Sequence, residues 1–117
     1  MVVRRVVPNF HTTDADASKE FYVDFLGLDV VMDKGWIITF ATPVSFSGQL
    51  CVLSEDATAP EVANMSIEVT DVDATYAEAQ RRGYEIVHPL TDEEWGVRRF
   101  FVRDPNGAVV NLLAHIE

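Results

Sequence analysis

Residue types that could hold a metal ion or carry acid–base chemistry are few in this sequence and lie far apart. Its three histidines are His11, His88 and His115, and its one cysteine, Cys51, has no histidine predictably near it. A single cysteine excludes an internal disulfide and a cysteine-based zinc cluster, and a lone cysteine in a strand is more often a small core residue than a nucleophile. Glu68 is the one candidate for a catalytic acid or base. These residues favour binding over catalysis.

The net charge of the chain restricts the classes of partner that it can be expected to bind. Of 117 residues, 9 are Lys or Arg and 19 are Asp or Glu, which gives a net charge of −10. Nucleic acids and anionic membrane surfaces need a basic protein surface, so neither is an expected partner, whereas a cationic ligand is mildly favoured. The longest apolar run, Trp36–Ala41, is far shorter than the ~20 residues of a membrane-spanning helix, and no signal peptide is evident. We expect a soluble, cytoplasmic protein with one domain over residues 1–117.

A half-length repeat indicates which elements position these side chains. The segment Thr13–Ser18 reappears almost unchanged as Thr70–Thr75, an offset of 57 residues in a chain of 117. Each copy opens a predicted helix with an Asp that can cap it and a Gly that can end it. The two predicted helices are Ala15–Leu26, followed by Gly27, and Val72–Arg82, followed by Gly83.

The regions around both helices also repeat, with one strand-like run before each helix and three after it. Runs rich in β-branched residues and separated by turn signals predict strands. The fold class is therefore α+β, with tandem βαβββ modules over about residues 1–55 and 63–117 and a linker over about 55–62. The predicted strands are Val3–Phe10, Leu28–Met32, Trp36–Ala41 and Gly48–Leu53 in the first module, and Met65–Thr70, Tyr84–His88, Val97–Val102 and Ala108–Ile116 in the second.

Three motifs in this arrangement resemble a known superfamily over the whole chain. They are Phe21-Tyr22 with Leu26-Gly27-Leu28 on the first helix, the Val69–Ala74 opening of the second helix, and Trp95-Gly96 with Arg99-Phe100 and Asp104-Pro105-Asn106-Gly107. In these segments the chain resembles the vicinal oxygen chelate superfamily, which includes glyoxalase I, the bleomycin resistance proteins and extradiol dioxygenases. The resemblance implies a curved mixed sheet with helices on its convex side, a ligand on its concave side, and a homodimer. Whether modules pair within or across subunits is left open.

The resemblance also locates the places where metal-dependent members carry His, Glu or Gln. In this sequence those places are Val7, Asn64 and Asn111, with either Gln49 or Cys51 as the fourth. Valine cannot bind a metal, and neutral amides are poor ligands for a catalytic transition metal. We therefore expect no metal and no other cofactor.

Strand alternation predicts what lines the concave side instead. Successive side chains point to opposite faces of a sheet, so alternate residues share the cup. Trp95 either stacks on a planar or cationic ligand or covers the sheet edge, and Trp36 is predicted in the core or at a dimer interface. The acidic residues 55–56 and 92–94 are predicted as solvated loop charge, with attraction of a basic ligand as the alternative. The predicted ligand-binding residues are Arg5, Val7, Asn9, Gln49, Cys51, Asn64, Ser66, Glu68, Trp95, Arg99, Asn111 and Leu113.

Three functions are compatible with this pattern. The first is a metal-free small-molecule-binding protein similar to the bleomycin resistance branch, which sequesters an amphipathic or cationic compound such as an antibiotic. The second is a glyoxalase-like lyase or isomerase, or a dioxygenase, with an atypical divalent-metal site or with metal-free acid–base chemistry through Glu68. The third is a partner-binding subunit whose cup is filled by side chains. The missing metal ligands favour the first.

Overall fold

The computed structural model describes residues 1–43 and 48–116. Residues 44–47 and 117, which fall inside the two predicted modules, lie outside the described residues. The strands are β1 (Val3–His11), β2 (Asp29–Asp33), β3 (Ile37–Ala41), β4 (Gln49–Leu53), β5 (Met65–Val69), β6 (Ile86–Glu93), β7 (Val97–Arg103) and β8 (Val109–His115). The helices are α1 (Ala15–Lys19), which continues as a π-helical segment (Glu20–Phe25), and α2 (Val72–Arg81).

The eight strands form one mixed sheet in the order β2-β3-β4-β1-β5-β8-β7-β6. Within each module the first strand pairs in parallel with the last, β1 with β4 and β5 with β8. The modules join through the antiparallel pair β1 and β5, in which Val7 lies opposite Ser66. This confirms the predicted α+β fold, with an open sheet, and it shows that the two modules pair within one chain.

The sheet is strongly curved. Trp36 directly precedes β3 and Trp95 lies between β6 and β7, yet their ring centroids are 5.8 Å apart. Strands β3 and β7 are separated by five strand spacings, which would be roughly 24 Å in a flat sheet. The two arms of the sheet therefore face each other across a concave space.

Both helices begin as the repeat predicts. Asp14 caps α1 by accepting a hydrogen bond from the backbone N–H of Ala17 at 3.0 Å, and Asp71 caps α2 in the same way from Ala74 at 3.0 Å. Since the first backbone N–H groups of a helix have no partner within the helix, this contact stabilises each start. Gly83 has a φ of 74°, in the left-handed region, and ends the second helix as expected.

The helices pack on the face of the sheet opposite to the concave space. Against α2, the side chains of Val69, Phe100 and Val110 form a buried cluster. Against the first helical segment, Ile38, Phe40 and Val52 form the equivalent cluster. In β5 and β8, residues at alternate positions belong to this layer, while Ser66 and Asn111 between them face the other way, as alternation requires.

Three details differ from the sequence predictions. The first helix ends in a π-helical segment, in which Leu26 donates its backbone N–H to Phe21 five residues back at 3.1 Å; this wider turn leaves Phe21 and Phe25 exposed. Strand β6 extends to Glu93 instead of ending at His88, because an edge strand tolerates Pro89 with an irregular register. In β1, Val6 and Phe10 alternate with the residues that face the cavity, so strand alternation predicts that they contact the helices, but both are exposed.

Within residues 1–43 and 48–116, no helix is long and apolar enough to span a bilayer.

The helix-facing layer carries much of the stability, so removing its largest ring should be costly. Phe100 is 0% exposed, and Phe100→Ala should lower the free energy of unfolding by about 3–5 kcal/mol, because it removes buried apolar area and leaves a cavity. Tyr84, at 48% exposure, is the matched control, and Tyr84→Ala should unfold at the wild-type denaturant concentration. Guanidinium unfolding followed by circular dichroism measures both, and equal losses would contradict this account of the core.

Candidate functional site

The concave face encloses a cavity of about 240 Å³. Its wall combines side chains from both modules and from the segment that connects them, so it exists only because β1 and β5 pair. The volume is somewhat smaller than the ~300–1,000 Å³ of typical small-molecule pockets, which suits a compact ligand. The described residues that line it are Arg5, Val7, Asn9, Val31, Met32, Lys34, Trp36, Ile37, Thr39, Gln49, Cys51, Leu53, Asp56, Ala63, Ser66, Trp95, Val97, Arg99, Phe101, Asn111, Leu113 and His115.

Most of the residues predicted to bind a ligand lie on this wall, where their contact with a ligand stays a prediction. Gln49 and Cys51, the two alternatives for the fourth ligand position, both face the cavity, as alternate residues of one strand must. The predicted residues on the wall are Arg5, Val7, Asn9, Gln49, Cys51, Ser66, Trp95, Arg99, Asn111 and Leu113.

Two predicted site residues, Asn64 and Glu68, lie elsewhere. Asn64 precedes β5, is exposed, and accepts a hydrogen bond at its side-chain oxygen from the backbone N–H of Val109 at 2.8 Å; it connects strands instead of lining the cup. Glu68 has one carboxylate oxygen 3.0 Å from Arg5 Nε and the other 3.0 Å from His115 Nδ1. Both partners of Glu68 line the cavity, so Glu68 lies beside the cavity as an ion-pair partner of its wall.

Ser66 is the centre of the cavity floor. In the sheet it lies opposite Val7 on one side and opposite Asn111 on the other. The side-chain amides of Asn9 and Asn111 each donate to its hydroxyl oxygen at 3.1 Å. The floor is therefore a hydrogen-bonded strip of neutral polar groups across β1, β5 and β8, held by strand register.

This floor does not fit a catalytic transition metal. The positions that meet at its centre carry Val7, Ser66 and Asn111, and a site for Zn, Fe or Ni needs imidazole, carboxylate or thiolate donors. Across the part of the chain that the structure describes, no group of three or more His, Cys, Asp or Glu side chains is placed to hold a metal ion. We therefore derive no step through a metal.

Cys51, on the same wall, is not an activated nucleophile. Burial raises the pKa of the Cys51 thiol, and the hydrogen bond with Thr39 only partly offsets this effect. The Cys51 sulfur lies 3.1 Å from the Thr39 hydroxyl. Since the thiolate is the reactive form, a raised pKa keeps Cys51 protonated and unreactive at neutral pH.

Two tryptophans form the aromatic part of the wall. Trp36 and Trp95 meet edge to face with ring centroids 5.8 Å apart, and both line the cavity. Trp36 was predicted in the core or at a dimer interface; it is half-buried and packs against the buried cluster of Val7, Cys51 and Leu53, and the curvature of the sheet also brings it opposite the second module. Rings of this kind offer a large, rigid apolar surface to a planar ligand.

Arg99 anchors this wall from behind. Its guanidinium donates to both carboxylate oxygens of Asp56, at 2.9 and 2.8 Å, and to the Thr58 hydroxyl at 2.8 Å. It also lies 5.0 Å from the ring centroid of Trp95 and 4.8 Å from that of Phe101. Bidentate pairing and stacking are the contacts for which an arginine is suited, so this side chain ties the inter-module segment to β7 and to the aromatic wall.

The sequence suggested that the acidic residues around this arginine are solvated loop charge, but the structure buries two of them. The side chains of Asp56 and Glu93 are 3% and 2% exposed. Glu93 accepts a short hydrogen bond from Thr58 and lies 3.4 Å from His88 Nε2. A buried charge needs a partner, and Arg99 provides it for both carboxylates. His88, expected at the surface, is buried against Phe101.

The structure also brings residues to the cavity that the sequence analysis did not assign. Lys34 reaches it from the turn between β2 and β3, and Asp56 from the inter-module segment. Phe101 lies opposite Asn111 in the sheet. Alternation from Arg99 would have placed Phe101 on the concave face, whereas no local sequence signal places residues of a turn or linker there.

Comparison with known proteins identifies the family. The family model described as Glyoxalase/Bleomycin resistance protein/Dioxygenase superfamily matches residues 8–112. A search of curated proteins found no significant match.

Solved structures show the same fold at low sequence identity. A glyoxalase/bleomycin resistance protein/dioxygenase superfamily member from Vibrio splendidus 12B01 is 18% identical, with a TM-score of 0.72 over 98% of this chain and 100% of that chain. Methylmalonyl-CoA epimerase from Streptomyces coelicolor is 20% identical, with a TM-score of 0.70 over 97% and 96%. A structure described as NAD-dependent benzaldehyde dehydrogenase from Legionella pneumophila is 17% identical, with a TM-score of 0.74 over 95% and 99%. At such identities the similarity shows the fold and carries no activity across.

The Asp56–Arg99 ion pair is buried, so a variant that breaks it tests whether the pair stabilises this wall. Asp56→Asn should lower the free energy of unfolding by about 3–5 kcal/mol, because it removes one partner from a buried ion pair. Asp92→Asn is the matched control: Asp92 also binds an arginine, Arg98, through both oxygens, at 2.6 and 3.2 Å, but its side chain is 56% exposed. Water screens that pair, so this variant should unfold with the wild type. Equal denaturant midpoints for the two variants would refute the structural role of Arg99.

Proposed function

The chain belongs to the glyoxalase/bleomycin resistance protein/dioxygenase superfamily, and on this premise we propose that it binds a small amphipathic organic molecule in its cavity without a metal ion. Binding itself is the proposed activity, with sequestration of the ligand as its consequence. The observation that carries the proposal is a cavity whose wall has two tryptophans and whose floor has hydrogen-bonding groups but no metal-binding set.

The composition of the cavity supports a ligand with an apolar body and a few polar atoms. Trp36, Ile37 and Leu113 supply apolar wall, while Asn9 and Ser66 supply polar atoms on the floor. Ligand pockets are commonly mostly apolar with a few placed polar groups, since burial of apolar area gives affinity and the polar groups give orientation. The space also favours a small ligand over the alternative of a cup filled by its own side chains.

Donor chemistry supports binding without a metal over a metal-dependent lyase or dioxygenase. Val7 has no donor atom, and the buried side-chain oxygen of Asn111, which has no hydrogen-bond partner, is a neutral amide oxygen and therefore a poor ligand for a catalytic transition metal. The acid–base route through Glu68 loses support as well, because Arg5 and His115 take up its carboxylate beside the cavity and not within it. A general base must reach the proton that it removes.

Association of two copies is a second part of the proposal. Phe21, Phe25 and Leu26 are large apolar side chains that the fold leaves exposed on the first helical segment and directly after it, and the ring centroids of Phe21 and Phe25 are 5.4 Å apart. Contiguous exposed apolar area is costly in water and is commonly covered by another subunit. We propose that a second copy covers it.

Both tryptophans of the chain line the cavity, so a variant that removes one of them tests whether a ligand binds there. Isothermal titration with 2-naphthamide, a neutral planar probe, should show one site, and Trp36→Ala should weaken binding about tenfold, because an aromatic contact and its buried area are lost. Excess EDTA should leave the affinity unchanged. Tyr84→Ala removes an exposed aromatic ring outside the cavity and should bind as the wild type does. Loss of binding in EDTA, or turnover of a bound compound, would contradict the proposal.

The oligomeric state has its own test. Light scattering at micromolar concentration should give a mass near twice the 13.1 kDa of one chain, and Phe25→Asp should shift the mass towards that of the single chain, because it buries a charge at the proposed interface. A mass of one chain for the wild type would rule out the second copy.

A further inference from the structure

We propose that the ligand of this cavity carries a negative charge, next to an aromatic group. This inference rests on the proposed function, since it concerns the chemical class of the molecule bound there. It departs from what the composition favours, because a chain with a net charge of −10 is expected to attract cations.

The first observation is the balance of charges on the cavity wall. Among the described lining residues, the cations are Arg5, Lys34 and Arg99, and the one carboxylate is that of Asp56. Glu68 and Glu93 pair with these arginines but do not line the cavity. A molecule inside the cup therefore contacts positive groups on a protein whose surface is negative elsewhere.

The second observation is that the carboxylate of Asp56 is already committed. Both of its oxygens accept hydrogen bonds from Arg99, at 2.9 and 2.8 Å, and its side chain is 3% exposed. A cationic ligand would have to compete with a buried bidentate arginine for this group. Removing one partner from such a pair is strongly unfavourable. The carboxylate of Asp56 is therefore a poor binding partner for a cationic ligand.

Lys34 is in the opposite situation. Over residues 1–43 and 48–116, no carboxylate lies within ion-pair distance of its ammonium group, and its neighbour Asp33 is held by Lys19 at 2.8 Å. The Lys34 nitrogen lies 5.6 Å from the centroid of the Trp95 ring. It is therefore a cation at the cavity, beside an aromatic wall, whose charge the described residues do not balance.

Trp95 strengthens the preference against cations. Arg99 lies 5.0 Å and Lys34 5.6 Å from the centroid of its ring. Aromatic faces attract cations through their quadrupole, but here two cations of the protein already use that attraction. A cationic ligand stacked on Trp95 would meet like charges at close range, whereas an aromatic ligand with a carboxylate or sulfonate could place its ring on Trp95 and its charge near Lys34.

Arg5 adds a second place for an anion inside the cup. Its side chain is 29% exposed, one terminal nitrogen donates to Gln49 at 2.5 Å, and Nε lies against Glu68 at 3.0 Å. A guanidinium has five N–H groups, so several remain to donate. At ~0.1 M salt the Debye length is ~10 Å. The attraction of an anionic ligand to the cations that it contacts in the cup therefore outweighs its repulsion by the more distant acidic surface.

Three probes on one ring system test the charge preference. 2-Naphthoate, 2-naphthamide and 2-naphthylmethylammonium present an anion, a neutral amide and a cation on the same naphthalene, and titration calorimetry measures each dissociation constant. We expect the anion to bind about tenfold more tightly than the cation, from one partly screened charge contact. Raising the salt concentration should narrow this ratio.

Two charge-reversal variants locate the effect. Lys34→Glu should reduce the ratio of anion affinity to cation affinity by about fivefold or more, because it reverses the charge at the cavity. Arg82→Glu makes the same change of net charge at a side chain that is 55% exposed and does not line the cavity, and it should leave the ratio within about twofold, since only general electrostatics change. A cation that binds as tightly as the anion, or equal effects of the two variants, would overturn the inference. If 2-naphthamide binds in either of those cases, the proposed function stands; if none of the probes binds, both fail.

Discussion

The pairing of β1 with β5 is the constraint on which the rest of this structure depends. Each module alone is a four-stranded sheet with a helix on one face, and its concave face would lie open to water. The antiparallel register that sets Val7 opposite Ser66 joins the modules into one curved sheet. The same register sets the floor, because β8 then brings Asn111 to Ser66. The backbone hydrogen bonds between β1 and β5 thus decide which side chains meet in the cavity.

A second, polar constraint holds the aromatic wall in place. Burying two carboxylates beside one guanidinium is expensive unless the charges are paired, and here Arg99, Asp56, Glu93 and Thr58 bond one another, with Nε of Arg99 left without a hydrogen-bond partner. Because Arg99 also stacks on Trp95, the position of the ring follows from the ion pairs behind it. The wall is therefore pre-organised, which lowers the entropy that a ligand loses when it binds.

Local sequence signals account for much of the fold but for less of the site. The caps at Asp14 and Asp71 could be predicted because a helix start is a local event, and the face of β5 and β8 that carries Ser66 and Asn111 follows from alternation. Burial of Asp56 could not be predicted, because an acidic residue in a linker is solvated unless a distant cation receives it. The place of Trp36 likewise depends on sheet curvature, which a strand pattern does not encode. Asn64 was predicted on the concave side but does not line the cavity, because residues at the end of a strand do not follow the inward–outward alternation of its centre.

One further consequence follows from the fact that both modules of the cup come from the same chain. Each polypeptide carries a whole cavity, so the number of cavities equals the number of chains in any state of association. Dilution or subunit exchange does not leave the cup incomplete. A second copy of the chain would add a second cavity without completing the first.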